Sequence, residues 1–385
     1  MAVREKLQGL GLYLSREPVM LALLSALAVL SFGAVGGLSR IYHAQQETLA
    51  NRWFTRGAGD LIDGHFDRAV GDFRAALRYS RDNYDYQLNL AQALIGLKRT
   101  DEAYAYLINL WEREPENGLV NLELARIAAQ KGRTEQALRY YHNAIYAIWP
   151  GDSEVERRST RLELIQYLLR INARTQAQSE MIALAANLGD DPSLHQRVGD
   201  LFLQAQDYEH ALAEYRLTLK SDHRNSAALA GAGLAAFNLG RYSLAQRYLQ
   251  VAVAANPEDT QTADLLKTTE LVLQMDPFRR QISADQRNRI VIEAFAIAGD
   301  RLKSCAATVN SSGSASSESL EENLDDNWTK MKPKINERDL RRDPDSAEGA
   351  MDLVFEIERQ TKTVCGNPTG IDLALLLISK LHEGN

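Results

Sequence analysis

Cysteine is nearly absent, with two residues in 385. That excludes a disulfide-dense scaffold and a thiolate zinc centre, which takes three or four ligands. Only 9 prolines and 24 glycines are present, so collagen-like and Pro/Gly-rich disordered classes are excluded as well. Cations are in deficit: 44 lysines and arginines against 51 acids leave a net charge of −7. A protein that grips phosphate backbones needs the opposite balance, so no nucleic-acid partner is expected. The phosphate, dinucleotide, zinc-hydrolase, nucleophile-elbow and C-x-x-C signatures are all missing. The 7 histidines are scattered, with no two at the spacing of three or four that shares a helix face. No catalytic residue, metal ligand or cofactor is assigned, and an enzyme is not expected. His195 falls at a packing position. A Cys365–His382 nucleophile pair would lack an orienting partner. The acid pairs Glu321/Glu322 and Asp325/Asp326 read as solvated charge.

Charge is missing altogether from Val19 to Leu38. A helix of that length spans roughly 30 Å, the thickness of bilayer hydrocarbon. Residues 1–18 form its N-terminal flank, and Arg40 and Tyr42 mark the far interface. The alternative is a cleaved signal peptide, with Arg4, Lys6 and Arg16 as its basic region, but Ala34-Val35-Gly36 is a poor cleavage site. Those three cations and the α-amine slightly outweigh Arg40, Arg52 and Arg56 beyond the span. The positive-inside rule then places the N-terminus inside and the rest outside the cytoplasm. The expected address is a single-pass membrane protein, in a bacterium the inner membrane with the bulk of the chain in the periplasm.

Alanines recur with a fixed period. Ala69, Ala103 and Ala137 are 34 apart, as are Ala177, Ala211 and Ala245, with a step of 40 between the two sets. Six residues are therefore inserted after the third unit, near 152–157. Neighbouring positions keep register: Gly57, Phe66 and Phe73 in the first unit match Gly199, Tyr208 and Tyr215 in the fifth, and Gly233, Tyr242 and Tyr248 in the sixth. This pattern resembles the tetratricopeptide repeat (TPR) family, in six copies over 50–259. The fourth unit is the poorest, with Ile165 where a small residue is usual. The resemblance implies an all-α solenoid of antiparallel helix pairs. Small residues let the paired helices approach, large ones such as Phe73, Tyr141, Tyr215 and Tyr248 fill the next gap, and stacking buries what no pair can bury alone.

TPR proteins line a groove with the first helix of each repeat. By resemblance the groove positions here are Phe54/Ala58, Leu88/Gln92, Leu122/Arg126, Leu162/Gln166, Gln196/Asp200 and Ala230/Leu234. A carboxylate clamp takes lysine, asparagine and arginine at such positions. Arg126 alone answers to that, so the groove is expected to be apolar with amides and suited to a helix or strand. The competing possibility is that these residues pack against the chain's own C-terminal segment.

Residues 260–277 read as a capping helix and 278–385 as a helical C-terminal region, broken by a Ser-rich linker at 308–319. Trp328 is the lone anchor of a charged stretch, 320–345. Cys305 and Cys365 close a loop of about 60 residues if bonded, worth roughly 4 kcal/mol in the chain-entropy model. The alternative is two unrelated buried thiols. Asn310 and Asn327 begin glycosylation sequons, which are short and common. The layout is similar to bacterial lipopolysaccharide-assembly proteins that join an anchor to TPRs. Their C-terminal zinc module needs paired C-x-x-C motifs that this chain lacks.

The expected function is a membrane-anchored scaffold that binds partner proteins through its repeats, in assembly or stabilisation of an envelope or membrane complex. A permanent structural subunit of such a complex is the alternative, and an unrecognised activity in 278–385 is a second. The repeat register makes one firm demand on stability. Ala211→Leu should overpack a helix joint and cost roughly 1–3 kcal/mol. An unchanged melting midpoint in that variant would count against the register.

Overall fold

The computed structural model describes residues 2–312 and 318–382, with side chains for 20–308 and 323–382. Among these residues the regular elements are helices, joined by one isolated backbone bridge. The middle of the linker expected at 308–319 lies outside the described residues. So do the side chains of Arg4, Lys6, Arg16, Asn310, Glu321 and Glu322. The chain divides into two compact units, residues 1–167 and 168–385.

In the first unit, α1 (Ala2–Ile62) runs unbroken through the uncharged segment and into the repeats. From Met20 its apolar side chains are uncovered, and the stretch is long and apolar enough to cross a membrane. From Met20 on, Ala50 is its first buried residue, packed with Ala76 and Tyr86. The end of α1 thus serves as the first helix of repeat one, paired with α2 (Phe66–Tyr79). Repeats two and three are α3 (Tyr84–Gly96) with α4 (Thr100–Arg113), and α5 (Gly118–Gln130) with α6 (Thr134–Tyr146). Helix α7 (Ser153–Arg170) opens repeat four, and the unit boundary falls within it.

In the second unit α8 (Arg174–Ala185) ends repeat four. Then α9 (Pro192–Gln204) pairs with α10 (Tyr208–Ser221), and α11 (Ser226–Asn238) with α12 (Tyr242–Ala255). Asn83, Asn117, Asp191 and Asn225 cap first helices by accepting backbone N–H groups of the opening turn.

One backbone feature recurs in all six repeats. Gly64, Lys98, Gly132, Asn172, Gln206 and Gly240 have φ between 59° and 75°. Their spacing repeats that of the alanines. Each ends a first helix in the same way, the next N–H reaching back five residues: His65 to Asp60, Arg99 to Leu94, Arg133 to Ala128, Ala173 to Leu168, Asp207 to Phe202 and Arg241 to Ala236. This is a Schellman cap, and its left-handed residue favours glycine. Only half of the six are glycine, so the sequence shows half of the signal.

Packing between paired helices follows the small-against-large scheme. Tyr215 is fully buried, its ring against the backbone of both Gly199 and Gly231, and its hydroxyl donates to Asp200 Oδ1 at 2.6 Å. Phe73 and Tyr141 hold the same register in their repeats. In repeat six the register falls on Leu249, which is fully buried against Gly233, while Tyr248 is only half-buried. The aromatic residue chosen from sequence there is one position off. In repeat four Ile165 is fully buried where other repeats have small residues.

The C-terminal region is built into a core of its own in the second unit. Helix α13 (Thr260–Met275) packs beside α14 (Ala284–Ser312), α17 (Asp345–Cys365) and α18 (Gly370–His382). Helices α15 (Glu318–Met331) and α16 (Glu337–Arg342) join the same cluster through Leu324, Trp328 and Leu340. Trp328 stacks on Phe295 at 5.7 Å, lies against the Gly299 backbone and donates its indole N–H to the Phe295 carbonyl at 3.0 Å. Leu324, Trp328, Ile335 and Leu340 thus tie the charged stretch to this core, so Trp328 is not its lone anchor. The core reaches Phe237 and Tyr242, and Leu381 abuts Gly240.

Cys305 and Cys365 form a disulfide, Cα to Cα 5.7 Å, tying the end of α17 to α14. The same sulfur cannot serve as a nucleophile. His382 packs against the Phe278 ring instead, tilted at 53° with the centroids 4.4 Å apart. One turn from the disulfide, Arg301 donates to Thr361 Oγ1 at 2.8 Å and to the Gly366 carbonyl at 3.2 Å. It stands 3.2 Å from Glu358 and 3.5 Å from Asp372. Glu358 is fully buried, and neither of its carboxyl oxygens receives a hydrogen bond. Burial and the nearby Asp372 push it up to about 8 against the pull of Arg301, and burial raises Asp372 as well.

Two outcomes follow from these features. Gln206→Gly should raise stability by about 0.5–1 kcal/mol, because it relieves a left-handed residue that bears a Cβ. Asn172→Gly should do less, since asparagine tolerates this region. Equal effects in denaturant titration would exclude the cap explanation. A carboxyl whose folded pKa exceeds its unfolded value gives its full stabilisation below the unfolded pKa, and loses it as pH rises through the folded one. Glu358→Gln should therefore flatten the decline in unfolding midpoint that wild type shows up to pH about 8. Parallel wild-type and variant profiles would rule this out.

Candidate protein-interaction site

The groove positions named from sequence divide into two kinds. Leu88, Leu122 and Leu162 are 8%, 6% and 6% exposed, so they serve mainly as packing residues, with Leu88 alone of the three also reaching a surface cleft. Phe54 also packs, stacked on Tyr86 at 4.8 Å. Gln92 and Gln196 are half-buried, while Gln166, Asp200 and Leu234 are exposed. The apolar half of the expected groove is thus largely interior.

Arg126 is not free to receive a ligand carboxylate. Its guanidinium donates to Glu163 at 2.7 and 2.9 Å and to Glu123 at 2.9 Å, and the Tyr141 hydroxyl donates to Glu163 at 3.0 Å. Burial raises the Glu123 carboxyl more than Arg126 lowers it. Two acids around one arginine leave this stretch of the face without spare positive charge.

A cleft of about 870 Å³ opens beside these residues in the first unit. Its walls come from Tyr84, Asp85 and Leu88 at the start of α3, from residues 114–119 across the loop into α5, and from residues 148–150 after α6. Tyr84, Leu88, Leu119, Ile148 and Trp149 supply the apolar surface. Asp85, Glu114 and Glu116 supply carboxylates, and no lysine or arginine lines it. Burial and Glu114 hold the Tyr84 hydroxyl pKa well above its usual value.

The residues ahead of α7 build one wall. Ile148 forms a parallel bridge with Asn117, its N–H donating to the Glu116 carbonyl at 3.1 Å and its carbonyl accepting from Gly118 at 3.2 Å. Trp149 donates its indole N–H to the Ala144 carbonyl at 2.8 Å, and its ring lies so close to Gly118 that a Cβ there would sit 2.3 Å from it. Asn121 ties down the facing loop by donating to the Pro115 and Asn117 carbonyls, each at 2.8 Å. The backbone is thereby pinned while the Ile148 side chain stays 68% exposed, with Tyr146 and Val155 also exposed. Sequence reasoning placed an insertion near 152–157 but did not find this wall. The unmatched Trp149-Pro150 after repeat three was the available sign.

The other motifs supply no competing site. His195 is interior, with Nδ1 2.7 Å from Glu214 and Nε2 2.9 Å from the Gly189 carbonyl. Burial lowers its pKa, but these two acceptors outweigh that and the net shift is upward. Among the described residues no group of three or more His, Cys, Asp or Glu is placed to hold a metal ion.

These features define a helical-repeat protein with a pinned, acid-fringed cleft. Tetratricopeptide repeat models match residues 60–110, 97–147 and 163–260. Over these residues the chain carries tetratricopeptide repeats. No curated protein matches it. Among solved structures, the C-terminal part of a TPR repeat-containing protein from Cytophaga hutchinsonii is similar at 12% identity and TM-score 0.44, covering 82% of this chain and 100% of that one. PilF of Pseudomonas aeruginosa shares 18% identity at TM-score 0.39, covering 57% and 97%. YrrB, described as a TPR protein with an unusual peptide-binding site, shares 14% at TM-score 0.39, covering 50% and 95%.

Proposed function

We propose that this chain is a membrane-anchored scaffold that holds a partner protein close to the bilayer, and that it acts by binding rather than by catalysis. The observation that carries the proposal is the continuity of α1. One helix contains the uncharged span and, at Ala50, becomes the first helix of repeat one. At 1.5 Å per residue, the repeats begin about 18 Å along the helix from Leu38. No flexible linker intervenes, so the interaction surface of the first unit is held near the membrane. The partner is then a membrane protein or a protein delivered to the membrane, as in assembly or stabilisation of an envelope complex. The cross-link between Cys305 and Cys365 suits an oxidising compartment and supports the extracytoplasmic orientation.

Gentle detergent extraction of the tagged native protein, followed by native mass measurement, tests this reading. Partners at fixed stoichiometry that survive washing are expected, and their loss on deletion of residues 50–259 would place the contact in the repeats. A chain recovered alone under cross-linking conditions would overturn the scaffold reading. Recovery from the soluble fraction with a shortened N-terminus would overturn the anchor.

A further inference from the structure

We infer that the cleft between α3, α5 and residues 148–150 takes a partner segment whose apolar side chains are flanked by lysine or arginine. The inference rests on the scaffold reading and specifies its ligand. Shape comes first: the Ile148 backbone is fixed by two bridge hydrogen bonds while its side chain faces solvent, so an apolar contact is presented without a backbone ordering penalty. Leu119 and the Trp149 ring extend that surface across the cleft.

Charge complementarity selects the occupant. Asp85, Glu114 and Glu116 are exposed carboxylates in the lining, and no basic side chain lines the cleft. Arg113 lies over the Tyr84 ring at 5.5 Å, with its Nη1 donating to the Asp82 carbonyl. Arg126 is held between Glu123 and Glu163, and Arg157, which reaches the Ala147 carbonyl, is paired with Glu154. An acidic segment would meet three like charges, whereas a basic one would be steered inwards and held at the rim. The ligand chemistry is therefore the reverse of a carboxylate clamp.

The test uses the full chain in detergent micelles and two fluorescein-labelled peptide pools. Both pools carry Leu, Ile, Val or Phe at the centre, and they differ only in lysine or glutamate flanks. Fluorescence anisotropy should show binding of the lysine-flanked pool, weakening as salt rises. The Asp85→Asn, Glu114→Gln, Glu116→Gln triple variant should bind that pool roughly tenfold more weakly, the sum of three modest exposed pairs. Ile148→Asp, at an exposed side chain, should abolish binding while leaving the melting midpoint unchanged. Equal or tighter binding of the glutamate-flanked pool, lost in Ile148→Asp, would overturn the charge assignment and leave the cleft as a docking site. Absence of binding by both pools, or binding indifferent to Ile148→Asp, would overturn the cleft itself.

Discussion

Close approach of paired helices is the constraint on which the rest depends. A large buried side chain on the second helix of a repeat lies against bare backbone on the first helices of its own repeat and the next, as Tyr215 does against Gly199 and Gly231. Dispersion and apolar burial at that joint give each pair its spacing. The Schellman turn then reverses the chain at a constant geometry, because a left-handed residue stands at the same place in every repeat. A pair held this way still exposes one apolar face, so it must meet a neighbour or a cap. In the second unit, α13 to α18 supply that cover, gathered around Trp328, Phe295 and Val354.

The structure departs from a uniform array in two places. At the start, the helix that opens repeat one also contains the apolar stretch long enough to cross a membrane, so one element joins the candidate span to the fold. After repeat three, the chain runs extended through Ile148 and Trp149 before α7 begins. That detour makes a wall where a regular repeat would have none. It also brings apolar surface next to Asp85, Glu114 and Glu116. Elsewhere along the first unit the same face is closed, with Leu122 and Leu162 turned inwards and Arg126 locked between two acids.

Much of the architecture was legible from residues alone, because period and burial are coupled. Ala69, Ala103, Ala137, Ala177, Ala211 and Ala245 are all fully buried, and a position with no room for a larger side chain leaves a mark at every turn of the pattern. An uncharged run as long as a bilayer is thick is equally plain, since few other environments tolerate it. The pairing of Cys305 with Cys365 was one of two readings, and their approach to 5.7 Å decides it. What linear order could not reveal were properties of neighbours far apart in sequence. Whether Leu122 is groove or core depends on which helices cover it. Whether Trp328 anchors a free arm or fills a core depends on Phe295 and Gly299. The cleft exists only because three separated segments converge, and burial, charge and access belong to that convergence rather than to any one of them.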